Sequence, residues 1–273
     1  MIRLALGLLL LGMLGLGALA APWVQAWLGT DPFAPDLMAR YGPVSAAHPL
    51  GTDELGRDLL LRLLHGARVS LSVGLAVAVG ATGLGTAIGL LAAWRGGWVD
   101  AVLMRVADGM LALPALPLLV VLAAVDTGRF GLLRGEAASD ILRIVLILLI
   151  FGWVGTARLA RAAALTQLSL DYVAAARVSG ASEGRVLLRH VLPNIAGPIG
   201  VAAALAVAGA ILAESTLSFL GLGIQPPAPS WGNMLSNAQE MVFSAPMQAV
   251  WPGLCILLAV AGCTLAADGL RRR

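Results

Sequence analysis

The chain of 273 residues is 59% hydrophobic and only 12% charged, with a mean hydropathy of +0.89. That balance excludes an ordinary soluble domain, and the length suffices for about six membrane spans at roughly 20 residues each. A formal net charge of +3 is too small to mark a nucleic-acid binder, and all 18 basic residues are arginine; without lysine there is neither a phosphate-loop lysine nor a Schiff-base lysine.

The first apolar run, Leu4 to Ala21, is an 18-residue uncharged stretch with nine leucines. At roughly −0.5 kcal/mol per central leucine, these favour insertion by about 4 kcal/mol. Arg3, the apolar core and "ALAA" at Ala18 to Ala21 also fit a cleavable signal peptide. An uncleaved span is the favoured reading, and in both cases the next segment emerges outside.

That segment ends in "HPLGTDELGRDLLLRLLHGARVSL", His48 to Leu71. Leu59, Leu60, Leu63 and Leu64 form a stripe at helical spacing with Arg57, Asp58 and Arg62 opposite, which predicts an amphipathic helix lying at the outer interface. Run two, Val69 to Trp94, contains Gly85 and Gly89, a small-xxx-small pair that permits close helix contact. Run three, Gly109 to Val125, is broken by Pro114 and Pro117. Run four, Ile144 to Thr156, is capped by Arg158 and Arg161. Run five, Ile195 to Ala213, ends at Glu214, and run six lies within Met241 to Ala267, starting after Pro246. "GIQPPAPSWGNML", Gly223 to Leu235, reads as an irregular external loop.

With the N-terminus inside, 11 arginines fall on the cytoplasmic side and seven outside, the latter including Arg40, Arg68, Arg129, Arg134 and Arg143. Both termini are then cytoplasmic. The expected organisation is an N-terminal span with its external segment (1–68), a core of five spans (69–268) and a short cytoplasmic tail (269–273). The fold class is all-α and polytopic, with about six transmembrane helices.

Asp171 to Asn194, "DYVAAARVSGASEGRVLLRHVLPN", is a charged island between uncharged runs. A first helical pattern covers about Ser169 to Ser179, and Gly180 ends it in a left-handed conformation. Ser182 caps a second pattern with Glu183 in its first turn. Val186, Leu187 and Val191 form the apolar face of that pattern, Arg185 and Arg189 lie on another, and Pro193 stops it. Physics alone leaves two readings: a basic connector lying on anionic lipid, or a helix–turn–helix that docks a partner.

Within this island "AAARVSGASEGRVLLRHVLP" resembles the cytoplasmic EAA loop of the inner-membrane permeases of ABC importers, which is E-A-A, three residues, G, then nine residues leading to I-x-L-P. Ala174, Ala175, Ala176, Gly180, His190, Leu192 and Pro193 occupy those positions. Ala174 stands where the family has Glu, and His190 where it has Ile. "GGWVDAVLMRVADGMLALP" (Gly96 to Pro114), "LSFLGLGIQPPAPSWGNML" (Leu217 to Leu235), "WPGL" (Trp251 to Leu254) and the His48 to Leu71 stretch resemble the dipeptide, oligopeptide and nickel branch. The resemblance implies a type I importer permease fold in a bacterial inner membrane, and loop 169–193 as a coupling helix. It implies alternating access driven by two separate ATPase subunits that use ATP and Mg, a homologous second permease, and a periplasmic or lipoprotein solute-binding protein. It points to di- or oligopeptides as substrate, with nickel or a metal chelate as the alternative. The family's Glu would offer a charge to the ATPase; with Ala174 in its place, that role would fall to Arg177 or Glu183, and Arg185 and Arg189 belong to the same docking element.

Outside the loop, Arg105 and Asp108 are three apart and predicted to pair on one helix face. Glu214, an ionisable group at the edge of a span near the outer interface, is read either as a pathway or gate residue or as a structural or interfacial one. His48 and His65 lack partners at metal-ligand spacing, and no catalytic serine motif occurs. Cys255 and Cys263 lie eight residues apart, about 12 Å along a helix, so they read as packing thiols. No cofactor is expected on this chain. A stand-alone channel or ion-coupled carrier would need paired charges at the bilayer midplane; runs two, five and six hold none.

Overall fold

The structure, a computed structural model, describes residues 2–125, 137–236 and 245–271. Arg129, Arg134, the predicted opening of run six at Met241, Arg272 and Arg273 lie outside the described residues. All regular elements among the described residues are helical. The α-helices in chain order are α1 (Ile2–Leu28), α2 (Leu59–Arg95), α3 (Gly97–Ala112), α4 (Ala115–Ala124), α5 (Ala137–Leu168), α6 (Asp171–Val178), α7 (Glu183–Arg185), α8 (Leu192–Phe219) and α9 (Met247–Arg271). Among the described residues, five helical stretches are long and apolar enough to cross a membrane, or six if the bent pair α3–α4 is one span.

Proline and glycine set the breaks. α3 and α4 meet at 85° across Leu113 and Pro114. Pro117 lies in the first turn of α4, where no intrahelical N–H donor is needed, so only Pro114 breaks the span. α9 begins directly after Pro246, as expected.

Close packing comes from small residues. A Cβ on Gly85 would sit 2.5 Å from the Trp153 carbonyl oxygen, and one on Gly89 would sit 2.4 Å from that of Ala157. The predicted glycine pair is therefore the seam where α2 lies against α5. α1 packs mainly on α9, and its outer face leaves Leu9, Met13 and Leu16 exposed, as a lipid-facing surface requires. Trp23 and Trp27 near one end of α1, and Trp98 at the start of α3, are more than 70% exposed, the placement of tryptophan at a membrane–water boundary.

The predicted surface helix over His48 to Leu71 is corrected. Residues 48–58 form turns, and Leu59 opens α2, which continues unbroken to Arg95. Asp58 caps it by accepting the Leu61 N–H at 2.8 Å. Nor does the charged face look into water, for Arg57, Asp58 and Arg62 are all buried. Asp53 reaches Arg57 at 2.8 Å and Arg62 at 3.2 Å, and Arg62 also donates to the Pro32 carbonyl. Burial of these charges is tolerable because each is paired and hydrogen-bonded.

The two ends of the bundle differ. Arg3 and Asp268 pair at 2.9 Å, so the start of α1 and the end of α9 lie together. Leu270 and Arg271 line one cavity with Leu159, Gly197 and Pro198, which places that end beside loop 169–193. Segment 29–58 and loop 220–236 lie at the opposite end, where Gln248 of α9 donates to the Thr52 carbonyl at 2.8 Å and Asn233 lines one cleft with Asp53 and Glu54.

Candidate functional site

The charged island folds as two helical pieces across a turn. Val173 on α6 is fully buried against Leu90, Ala93, Ala164, Val186, Leu187, Val191 and Ile195, which ties the loop to the ends of α2, α5 and α8. Gly180 ends α6 at φ +85°, the left-handed region that favours glycine. Its N–H donates to the Arg177 carbonyl and that of Ala181 to the Ala176 carbonyl, each at 3.0 Å. These are the two bonds of a Schellman cap, and Ala181 and Ala176 both pack against the same apolar cluster.

Across the turn, Arg177 grips Glu183 with two parallel bonds, Nε to Oε1 at 2.9 Å and a terminal guanidinium nitrogen to Oε2 at 3.0 Å. The carboxylate raises the Arg177 pKa above its ordinary value. The two residues expected to stand in for the family's Glu are thus bonded to each other, and both remain about half exposed. Ser182 stands at the N-cap position with extended backbone, but its hydroxyl makes no capping bond; the Val186 N–H goes to its carbonyl instead.

The second pattern does not end at Pro193. After the single α-turn of α7, residues 186–191 form a π-helix, and the Leu192 N–H bonds back five residues to Leu187. Proline has no N–H to give, and its ring clashes with the carbonyl four residues before it. The wider π turn accommodates that ring, so the chain passes through Pro193 into α8 as one helical stretch from Glu183 to Phe219. The His190 carbonyl accepts the Asn194 side-chain amide at 2.6 Å and the Tyr172 hydroxyl at 3.3 Å, which fastens α6 to the start of α8. As expected, Val186, Leu187 and Val191 face inward. The outward surface carries Ala174, Ala175, Arg177, Val178, Gly180, Arg185, Leu188 and Arg189, with Val178 90% exposed.

Arg105 and Asp108 do not pair. Asp108 lies 3.6 Å from Arg158 on α5, and Asp100 forms a two-point ion pair with Arg161. Arg105 is exposed and without an ion-pair partner among the described residues. α3 is therefore tied across to α5 rather than braced along its own face. Glu214 is fully buried among the side chains of Ser70, Ser215, Ser218 and Ser230. Neither those serines nor Asp53 stands out in the sequence, because the partners that give them meaning are far away along the chain.

Residues 85–273 match the family described as binding-protein-dependent transport system inner membrane component. The chain belongs to that family. It is 40% identical over 268 residues to the di/tripeptide transport system permease protein DppC of Pseudomonas aeruginosa, covering 97% of this chain and 85% of that one. It is 38% identical over 231 residues to the dipeptide transport system permease protein DppC of Alkalihalophilus pseudofirmus, covering 84% and 72%. The glutathione transport system permease protein GsiD of Pectobacterium atrosepticum is 38% identical over 230 residues, again covering 84% and 72%. This family member is thus an all-α, multi-pass inner-membrane permease subunit of an ABC transport system, and loop 169–193 lies within its matched region.

Proposed function

We propose that this permease forms half of the pore of an ATP-driven importer of short peptides. It pairs with a homologous second permease, two ATPase subunits that bind ATP and Mg, and an external solute-binding protein. The observation that carries the reading is the capped helix–turn–helix at residues 171–191, a rigid surface element with Val178, Leu188, Arg185 and Arg189 turned outward. The Schellman cap and the two-point Arg177–Glu183 pair hold the turn of this element in one geometry.

On this reading loop 169–193 and both termini face the cytoplasm, and the end carrying segment 29–58 and loop 220–236 meets the binding protein. Closure of the ATPase dimer moves the loop, α8 moves with it, and the spans open outward. Peptides are favoured over nickel because the relatives above are named for peptide, dipeptide or glutathione transport. Hydrolysis belongs to the partners, and this chain contributes transmission.

Uptake of labelled dialanine or trialanine by membrane vesicles tests the proposal. Uptake is expected to require ATP and the binding protein, and to survive collapse of proton and sodium gradients. Uptake by this chain alone, following an ion gradient, would establish a carrier instead.

A further inference from the structure

Glu214 sits near the far end of α8, five residues before the helix ends at Phe219. Its carboxylate accepts the Ser218 hydroxyl at 2.7 Å on Oε1, and the hydroxyls of Ser70 at 3.0 Å and Ser215 at 3.5 Å on Oε2. Ser230 lies close to the same carboxyl group. These serines come from α2, from α8 and from the loop that follows α8.

The polarity of the network is fixed by the backbone. The Ser70 oxygen accepts the Trp231 N–H at 3.2 Å, the Ser218 oxygen accepts the Ile224 N–H at 3.1 Å, and the Ser230 oxygen accepts the Asn233 N–H at 3.2 Å. A hydroxyl that receives a backbone proton directs its own proton to the carboxylate. Two backbone donors of loop 220–236, the Trp231 and Ile224 N–H groups, therefore run through the Ser70 and Ser218 hydroxyls to one carboxyl group. Around this centre the loop has no slack. Trp231 is fully buried and donates its indole N–H to the Leu63 carbonyl, and a Cβ on Gly232 would sit 2.5 Å from the Ser215 backbone.

The other end of the same helical stretch is the coupling loop, since residues 183–219 run as one helix. We propose that Glu214 is a positioning residue which locks loop 220–236 to α2 and α8, so that engagement of the solute-binding protein at this loop is transmitted along α8 to the ATPase. This rests on the importer reading above. Glu214 touches no substrate in this assignment; it makes the outer loop and the rod one body.

The test uses the complete transporter, reconstituted with its second permease, ATPase subunits and binding protein, with dialanine and trialanine as probes. Glu214→Gln keeps the size of the side chain but replaces an acceptor oxygen with a donor, leaving at least one serine proton without a partner. The complex is expected to assemble and to hydrolyse ATP at its basal rate. The maximum rate stimulated by the loaded binding protein is expected to fall about threefold to thirtyfold, with its half-saturating concentration nearly unchanged. Ser70→Ala removes one donor without touching α8 and should shift the same maximum in the same direction by less; it carries the test if Glu214→Gln does not assemble. Full stimulation in Ser70→Ala and in any Glu214→Gln complex that assembles would overturn the proposal. So would an equal fall in basal and stimulated rates, the signature of a merely structural residue. An unaltered complex that the binding protein fails to stimulate would overturn the importer reading, and this assignment with it.

Discussion

Replacing Gly180 by valine isolates the turn of the coupling loop from everything around it. A Cβ at this position meets no atom within 4 Å, so the change adds no clash and removes no packing. What it alters is the backbone, held at φ +85°. A β-branched residue there costs about 1–2 kcal/mol, equivalent to a roughly fivefold to thirtyfold loss in the population of the capped turn. Both cap bonds, from Gly180 to Arg177 and from Ala181 to Ala176, depend on that conformation. The loss should appear directly as weaker retention of the ATPase subunits in pull-downs from detergent-solubilised membranes, together with reduced uptake. Loading of the external binding protein with peptide should be unaffected. Asparagine tolerates the left-handed region better than any β-branched residue, so Gly180→Asn should recover most of both signals. If Gly180→Val retains the ATPase and transports at the normal rate, the capped turn has no part in docking and the loop is a connector on the lipid surface.

Val178→Cys and Met38→Cys, in a chain with Cys255 and Cys263 replaced by alanine, place thiols at positions 90% and 97% exposed. An impermeant maleimide added outside should label Met38→Cys alone, and labelling of both from outside would contradict the six-span topology. Gly89→Leu drives a side chain into the Ala157 carbonyl at the α2–α5 seam. It should destabilise by about 1–3 kcal/mol and lower Tm in detergent by several degrees, whereas Gly83→Ala, with open space around it, should leave Tm unchanged. Arg177→Glu should weaken ATPase retention at low salt, and the exchanged pair Arg177→Glu with Glu183→Arg should restore it. The coupling between the two sites should be about 0.5–1 kcal/mol and fade as salt is raised; zero coupling at low salt would remove the clamp from the account.

The spans are readable in the sequence because their causes are local. Apolar length, Pro114 and Pro246 set boundaries that the helices obey, and Gly85 with Gly89 marks a contact that needs only two small residues one turn apart. Gly180 is equally legible, since its conformation is a property of its own backbone. Arg62 is not, because helical spacing cannot show that Asp53 folds back over it. The burial of Glu214 is hidden for the same reason: its donors include Ser70, 144 residues away, and that bond passes over two intervening spans. The limit applies again to Asp108, whose partner Arg158 stands on another helix. Pro193 reads as a stop because the rule for α-helices is strict; the π turn lies outside that rule.

That π turn also sets an angle. Each residue of an α-helix advances the side chains by about 100°, and a π turn takes in one residue beyond the α count. Relative to an unbroken α-helix, residues 186–191 therefore rotate the azimuth of everything beyond them by roughly that amount. The outward direction of Arg185 and the inward direction of Glu214 are clocked against each other by this one element. Inserting or deleting a single residue between Leu192 and Glu214 would keep the helix, its length and its hydrophobicity nearly intact. It would turn the Glu214 carboxylate away from Ser70 by about 100° while Arg185 kept its bearing.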